Sequence, residues 1–421
     1  MKKIFFLFSL CVLIHFANGQ ILKKVTDRVK NKVDNNANNK VNNTVDKTVD
    51  DAMNPNKSKD KNGVDSTKKQ DGTTETVKTE TGPATLKTYS KYDFVPGERI
   101  IVFEDFAQDA VGDFPDKWNT NASPEIVTIE SLQGKWLKIS KQGVFMPEFI
   151  DSLPDNFTLE YDLLCDNPGK VWGFYTTLAT LSDRNRPEQW QSTNSRFTFT
   201  VAAYPDGNST SAIERRKDGV AESSASTGTK QFSDKTKPVH VALWRQKERV
   251  RVYFNQEKVW DLPKVFSQTS LYNSLVYWLQ GGTDDGNFYL SNLRLAVGMP
   301  DTRKKILEQN KWVTHGILFD VNSATIKPES YGTLKEMANV LNEYADLKVK
   351  IIGHTDADGK DDANLDLSKR RAASVKAALA KEFGIDENRM ETDGKGESEP
   401  IDKNDNSAGK ANNRRVEFIK I

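Results

Sequence analysis

Two cysteines in 421 residues leave almost no room for a disulfide framework, and one of them, Cys11, falls inside the apolar leader described below. The remaining Cys165 follows the run "FTLEYDLL" and is expected to be a small buried hydrophobe. Charge of one sign is equally scarce. Sixty Lys and Arg against fifty-nine Asp and Glu give a formal net charge of +1, so the overall balance provides no electrostatic case for a nucleic-acid partner or an acidic membrane surface. Beyond the leader no apolar run is long enough to span a bilayer. Hydrophobic residues make up only 37% of the chain, so some of it should lie outside any core. Catalytic signatures are missing too: there is no GxSxG elbow, no HExxH and no phosphate-binding glycine loop.

What is present falls into segments. Met1-Lys2-Lys3, the apolar "IFFLFSLCVLIHFA" and the small residues Ala17-Asn18-Gly19 read as a secretory signal over 1–19, cut before Gln20. Leu10 occupies the place where a lipoprotein signal needs a small residue, which argues against lipid attachment at Cys11. Over 20–54, Val25, Val29, Val33, Ala37, Val41, Val45, Val49 and Met53 recur every four residues. A step of four drifts by roughly 40° per turn on an α-helix, so the stripe winds around the axis. The segment reads either as a marginal helix, associating with itself or lying against the envelope, or as a disordered stalk. Residues 55–91 are dominated by Lys, Asp, Thr, Ser and Gly and read as a linker, with an end-to-end distance on the order of 35 Å if fully flexible.

From 92 to 299 the runs "FTLEYDLL", "RFTFTVAAY", "VHVALWR", "RVRVYFN" and "FYLSNLRLAV" alternate in hydropathy between Gly, Pro, Asn and Asp. In the first, Phe157, Leu159, Tyr161 and Leu163 share one face while Thr158, Glu160 and Asp162 share the other, the period of half-buried antiparallel strands. Many such strands in two hundred residues predict an all-β sandwich or jelly roll. Charges such as Arg249 and Arg251 on the outer rows fit a soluble sandwich better than a membrane barrel. With "VFEDFAQDAVGDFPDKW", "RVRVYFNQEKVWDLP" and "LSNLRLA", the segment resembles the concanavalin A-like (laminin-G-like) sandwiches. The Glu-x-Asp-x-Glu spacing of retaining glucanases with that fold is incomplete in "LEYDLLC", where the second Glu is missing.

After a helical connector over 300–312, residues 313–421 alternate strand and helix and predict an α/β domain of order βαβαββ. The elements are strand "THGILFD", a helix from Pro328 to about Tyr344 with Leu334, Met337, Val340, Leu341 and Tyr344 on one stripe, strand "KVKIIG", a helix from Ser368 to Phe383 ending at Gly384, and strands in "RMETDGKG" and "RRVEFIKI". The loop "GHTDADGKDDANLDLSKRRAASV" concentrates acids and then turns basic. Asp356, Asp358, Gly359 and Asp361 do not fit an EF-hand, because Gly359 is fourth from Asp356 and the twelfth residue is Leu367. His354 has no His or Cys near it in sequence to complete a zinc site. Neither metal nor cofactor is therefore expected. Asp356 at the end of a strand and Arg371 in the first turn of the next helix, capped by Ser368 or Asp366, can instead act as a clamp. Arg371 offers a bidentate fork to a carboxylate and Asp356 takes an ammonium, so an amino-acid zwitterion satisfies both.

"ILFDVNSATIKPE", "GHTDADG", "NLDLSKRRAASV", "GKGESEP" and "NNRRVEF" resemble, in order and spacing, the OmpA-like peptidoglycan-binding domain. Asp356, Gly359, Asn364, Leu367, Ser368 and Arg371 all fit its spacing. The resemblance implies that Asp356 and Arg371 grip the free amino-acid end of diaminopimelate in the peptidoglycan stem peptide, with polar contacts from Asn322 and Asn364. It also matches Arg414 and Arg415, read as structural. The expectation is an exported, non-enzymatic protein of the periplasm or the periplasmic face of a Gram-negative outer membrane, tethered to peptidoglycan. Its sandwich would face a glycan or protein partner, with a polysaccharide-binding or glycan-hydrolysing sandwich as the alternative.

Overall fold

The computed structural model describes residues 92–266, 271–282, 285–299 and 301–421. The expected signal, the Val-periodic segment and the whole of the linker over 55–91 lie outside the described residues.

Among the described residues, fifteen strands precede the C-terminal domain. They are β1 (Arg99–Glu104), β2 (Trp118–Thr120), β3 (Glu125–Thr128), β4 (Lys135–Ile139) and β5 (Gly143–Pro147). Then come β6 (Asn156–Cys165), β7 (Val171–Ala179), β8 (Arg196–Ala202), β9 (Thr210–Lys217) and β10 (Val220–Gly228). The last five are β11 (Val239–Gln246), β12 (Arg249–Phe254), β13 (Glu257–Leu262), β14 (Ser274–Gly282) and β15 (Phe288–Val297). One sheet runs β13-β12-β11-β6-β15-β4-β3 with β1 added alongside β15, and the other runs β10-β9-β8-β7-β14-β5-β2. Both are antiparallel throughout, with Leu159 of β6 paired to Leu243 and Leu295 of its neighbours.

Alternation along β6 does what the sequence pattern requires. Phe157, Leu159, Tyr161 and Leu163 join Phe174, Phe197, Phe199 and Tyr277 of the opposite sheet in one core. Cys165 sits in that core, where burial pushes its thiol up to about 12 and keeps it unreactive at neutral pH. Arg249 and Arg251 face outward from β12 and meet Asp261 of β13.

The outer face of the first sheet is covered as well. Tyr92, Phe94 and Val95 form a strap across Trp244 and Tyr253, with Tyr331 of the C-terminal domain packed against it. Gly332 is required there, since a side chain at that position would run into the carbonyl of Phe94. Glu160 and Asp162 point to the same face and share one histidine. His240 donates from Nδ1 to Asp162 at 2.9 Å and from Nε2 to Glu160 at 3.3 Å. Burial alone would depress the imidazole, but the hydrogen bonds from Asp162 and Glu160 outweigh it and raise the group to about 10. Arg294 of β15 completes the network, 3.8 Å from Glu160.

The C-terminal domain contains α1 (Thr302–Glu308), β16 (Lys311–Thr314), α2 (Tyr331–Glu343), β17 (Val349–His354), α3 (Asp361–Phe383), β18 (Met390–Gly396), α4 (Ser407–Asn413) and β19 (Val416–Lys420). Its sheet order is β16-β19-β17-β18, with only β17 and β18 parallel. Leu334, Met337, Val340 and Leu341 of α2 and Val375 and Leu379 of α3 close its core, as their spacing predicts. Two details differ from the expected βαβαββ order. The first strand is Lys311–Thr314, and "GILFD" beyond it keeps only an isolated bridge from Phe319 to Ile326. The short α4, capped by Asn406 through Gly409 N–H, precedes the last strand.

Replacing His240 with alanine leaves two buried carboxylates facing each other and should cost about 3–5 kcal/mol near neutral pH. Because the folded value lies above the ordinary 6.5, this stabilisation is fully present below about pH 6.5 and is lost as pH rises through about 10. Denaturant unfolding of both proteins across that range should show the gap closing; a constant gap would mean that the imidazole carries no charge.

Candidate functional site

The site is built where β17 ends. Gly353, the penultimate residue of the strand, has no room for a side chain, because α3 lies so close that a Cβ would meet the carbonyl of Ser368. That approach brings the loop 355–360 and the middle of α3 together. Asp356 is 9% exposed. Its Oδ1 accepts from Asp358 N at 3.2 Å and its Oδ2 from Arg414 Nη1 at 2.5 Å.

Asn364 is buried beneath the loop and donates to the carbonyl of Asp358 at 3.1 Å and to Glu397 at 2.5 Å. Its side chain holds the loop in shape. The extra acids have separate local reasons. Asp358 pairs with Lys410 at 2.7 Å, and Asp361 and Asp362 occupy the first turn of α3, where the positive end of the helix dipole favours them.

Here the structure corrects the sequence reading. The helix begins at Asp361, seven residues before Ser368, so Arg371 lies well inside it and not in the first turn. Ser368 is no cap: its hydroxyl donates to Leu365 O and accepts from Gly396 N. Asp366 instead pairs with Arg370, one turn along the same helix.

Arg371 is half-buried. Its Nε donates to Ser323 O at 3.0 Å and its guanidinium lies 4.9 Å from the centre of the Phe319 ring. The turn that supplies Ser323 O contains Asn322, exposed and in the left-handed region at φ 54, a conformation asparagine tolerates well. Burial, with repulsion from Arg414 and against the pull of Asp356, lowers the Arg371 guanidinium to about 10. It remains a cation at neutral pH, held at an energetic cost that an incoming anion would relieve.

Arg414 was read from sequence as structural, and the structure places it in the site. It holds the Asp356 carboxylate, and its guanidinium lies 5.2 Å from the ring centre of Phe103 of β1. Arg371 and Arg414 line one hollow of about 150 Å³, together with Phe103, Phe319, His315 and Arg294. Asp356 is not one of the residues that line this hollow, so it does not share its lining with Arg371; it stands beside it, bound to Arg414. Burial and the nearby Arg294 push His315 down to about 4, so it is neutral. Arg415, the other half of the doublet, is buried and bonds Glu417 at 2.8 Å and Glu399 O at 3.0 Å. Both arginines of the doublet line the hollow, but the Arg415 guanidinium is taken up by Glu417 and Glu399, whereas that of Arg414 lies between Asp356 and Phe103. Phe103 and Arg294 come from the two-sheet unit, and no pattern in the sequence announces them.

The hollow thus offers two guanidinium forks and one carboxylate at its edge, a set that matches an anion with a cation close beside it. Among the described residues no group of three or more His, Cys, Asp and Glu is placed to hold a metal ion, and no helix is long and apolar enough to cross a membrane.

Residues 318–414 match the OmpA family. The C-terminal domain is an OmpA family domain. Over 104 residues it is 46% identical to the probable lipoprotein YiaD of Escherichia coli (strain K12), covering 25% of this chain and 47% of that protein. Over 101 residues it is 43% identical to outer membrane porin F of Pseudomonas fluorescens, covering 24% of this chain and 31% of that one. The chain therefore spans about half or less of the length of these relatives. A solved peptidoglycan-associated lipoprotein from Burkholderia pseudomallei is 25% identical and covers 29% of this chain and 98% of that one, with a TM-score of 0.25.

Within this OmpA domain, Asn364→Ala should free the loop. Removing a side chain that satisfies buried carbonyls costs about 1–3 kcal/mol, and amide hydrogen exchange at Ala357 and Asp358 should accelerate. Unchanged exchange there would show that the loop is held by something else.

Proposed function

We propose that this is an exported envelope protein that binds peptidoglycan non-covalently through its OmpA domain, at the periplasmic face of a Gram-negative outer membrane. The ligand is the free amino-acid end of diaminopimelate in a stem peptide. Its carboxylate takes the forks of Arg371 and Arg414, and its ammonium takes Asp356. Asn364 and Asn322 act through the shape of the loop and of the turn that carries Ser323. The observation that carries this reading is the pair of arginines in one hollow with a single fixed carboxylate at its edge. Membership of the C-terminal domain in the OmpA family supports it, as do relatives named as lipoproteins and outer-membrane proteins.

The two-sheet unit is proposed to be a concanavalin A-like jelly roll that presents a surface to a glycan or protein, with no reaction of its own. The alternative of a glycan hydrolase would need an acid/base carboxylate pair. Glu160 and Asp162, the nearest approach to that motif, are both engaged by His240. Engaged in this way, they are poorly placed to exchange protons with a substrate.

Each charge-assisted contact is worth about 1.5–3 kcal/mol, so one clamp binds modestly, and a repetitive polymer raises the total by avidity. Asp356→Ala, Arg371→Ala and Arg414→Ala should each weaken co-sedimentation with purified sacculi by about ten- to a hundredfold while preserving the circular dichroism spectrum. Wild-type sedimentation by all three would show that the polymer is held elsewhere.

A further inference from the structure

A second hollow of about 600 Å³ opens between the outer face of the first sheet and the segment after β16. It shares Phe103, Arg294, Leu318 and Phe319 with the clamp hollow, so the two adjoin across these side chains. One wall belongs to the OmpA domain. The other belongs to the two-sheet unit, including Gln133 and Trp136.

Resting on the clamp reading above, we infer that the two-sheet unit supplies the second wall of a peptidoglycan groove, which takes the length of stem peptide and amino sugar leading away from the clamped terminus. Three observations point to that occupant. A diaminopimelate residue held by one end is joined to the polymer through the rest of the molecule, and that polymer has to leave the clamp along some surface. The adjoining hollow is four times the volume of the clamp hollow, 600 against 150 Å³, and is in the range of ligand sites. Its lining is also mixed, as a peptide bearing charges of both signs, amides and methyl groups requires: Lys135 and Lys327 stand with Asp105 and Glu329 among Leu132, Leu318 and Val321, while Glu160 and Asp162 are already engaged by His240.

The most specific feature is Trp136. Its side chain is 3% exposed and lines the groove, yet its indole N–H has no acceptor. Buried donors are nearly always satisfied, so this N–H calls for an acceptor, and a carbonyl of a ligand in the groove is one that would meet the need. Peptide and acetamido carbonyls both supply one. At the outer lip Val321 is 64% exposed, so added bulk there obstructs the groove without entering the core.

The groove and the clamp can be tested separately on the full chain by calorimetric titration with two probes. Free diaminopimelate reports the clamp alone, and a soluble disaccharide–stem-peptide fragment ending in diaminopimelate reports both. The fragment should bind at least about tenfold more tightly than diaminopimelate. Trp136→Phe, which keeps the ring and removes the N–H, should weaken the fragment by about three- to tenfold and leave diaminopimelate unchanged. Val321→Trp should do the same by obstruction, and Arg371→Ala should weaken both probes. If both groove variants bind the fragment like the parent while Arg371→Ala loses both probes, the clamp stands and the groove is overturned. If the parent binds neither probe, both are overturned.

Discussion

Like charges gathered at one hollow set the terms for the rest of this structure: Arg294 and Arg415 are answered by Glu160 and Glu417, which leaves Arg371 and Arg414. Arg371 and Arg414 repel each other, and the nearest fixed anion is the single carboxylate of Asp356. The protein sustains this arrangement by giving each guanidinium an aromatic ring, Phe319 for one and Phe103 for the other, and by tying Arg371 to Ser323 O. On the proposed reading, an incoming carboxylate would restore the balance, and one with a cation beside it would suit the nearby Asp356.

That balance depends on both parts of the described chain. Phe103 belongs to the strand that the two-sheet unit adds beside β15, and Asn412 of α4 bonds both the N–H and the carbonyl of Ile100 on that same strand. Arg294 reaches from β15 to the carbonyl of His315 at 2.9 Å. With Glu160, Asp162 and His240 behind it, this seam is a buried polar network in which every member has a partner, although Glu160 Oε1, Arg294 Nε and His315 Nδ1 have no hydrogen bond of their own. Such networks favour one geometry over slippage. The hollow beside Arg371 and Arg414 is thus walled in part by Phe103 and Arg294, which lie outside the residues that match the OmpA family.

The parts legible in the sequence were those with a local period or a fixed spacing. The alternation of "FTLEYDLL" correctly divided β6 between core and outer face, and the stripe from Leu334 to Leu341 found the buried side of α2. Asp356 and Arg371 could be singled out from charge and spacing. The start of α3 could not, because Asp361, Asp362 and Asn364 look like loop residues until the helix dipole and the loop carbonyls account for them. The strand expected in "THGILFD" gives way once it passes Thr314, where the chain turns towards the two-sheet unit and His315 O is taken by Arg294. Arg414 and Phe103 were hidden for a more general reason: their roles depend on contacts between residues more than three hundred positions apart.

The central claim is that one amino-acid terminus is gripped from both sides between Arg371, Arg414 and Asp356. A crystal structure of the full chain with a diaminopimelate-bearing fragment addresses it directly. The account predicts the ligand carboxylate within hydrogen-bond distance of both arginines, its ammonium on Asp356, and the Arg414–Asp356 bond loosened to admit it. A fragment bound elsewhere, with that bond intact and the hollow empty, would contradict it.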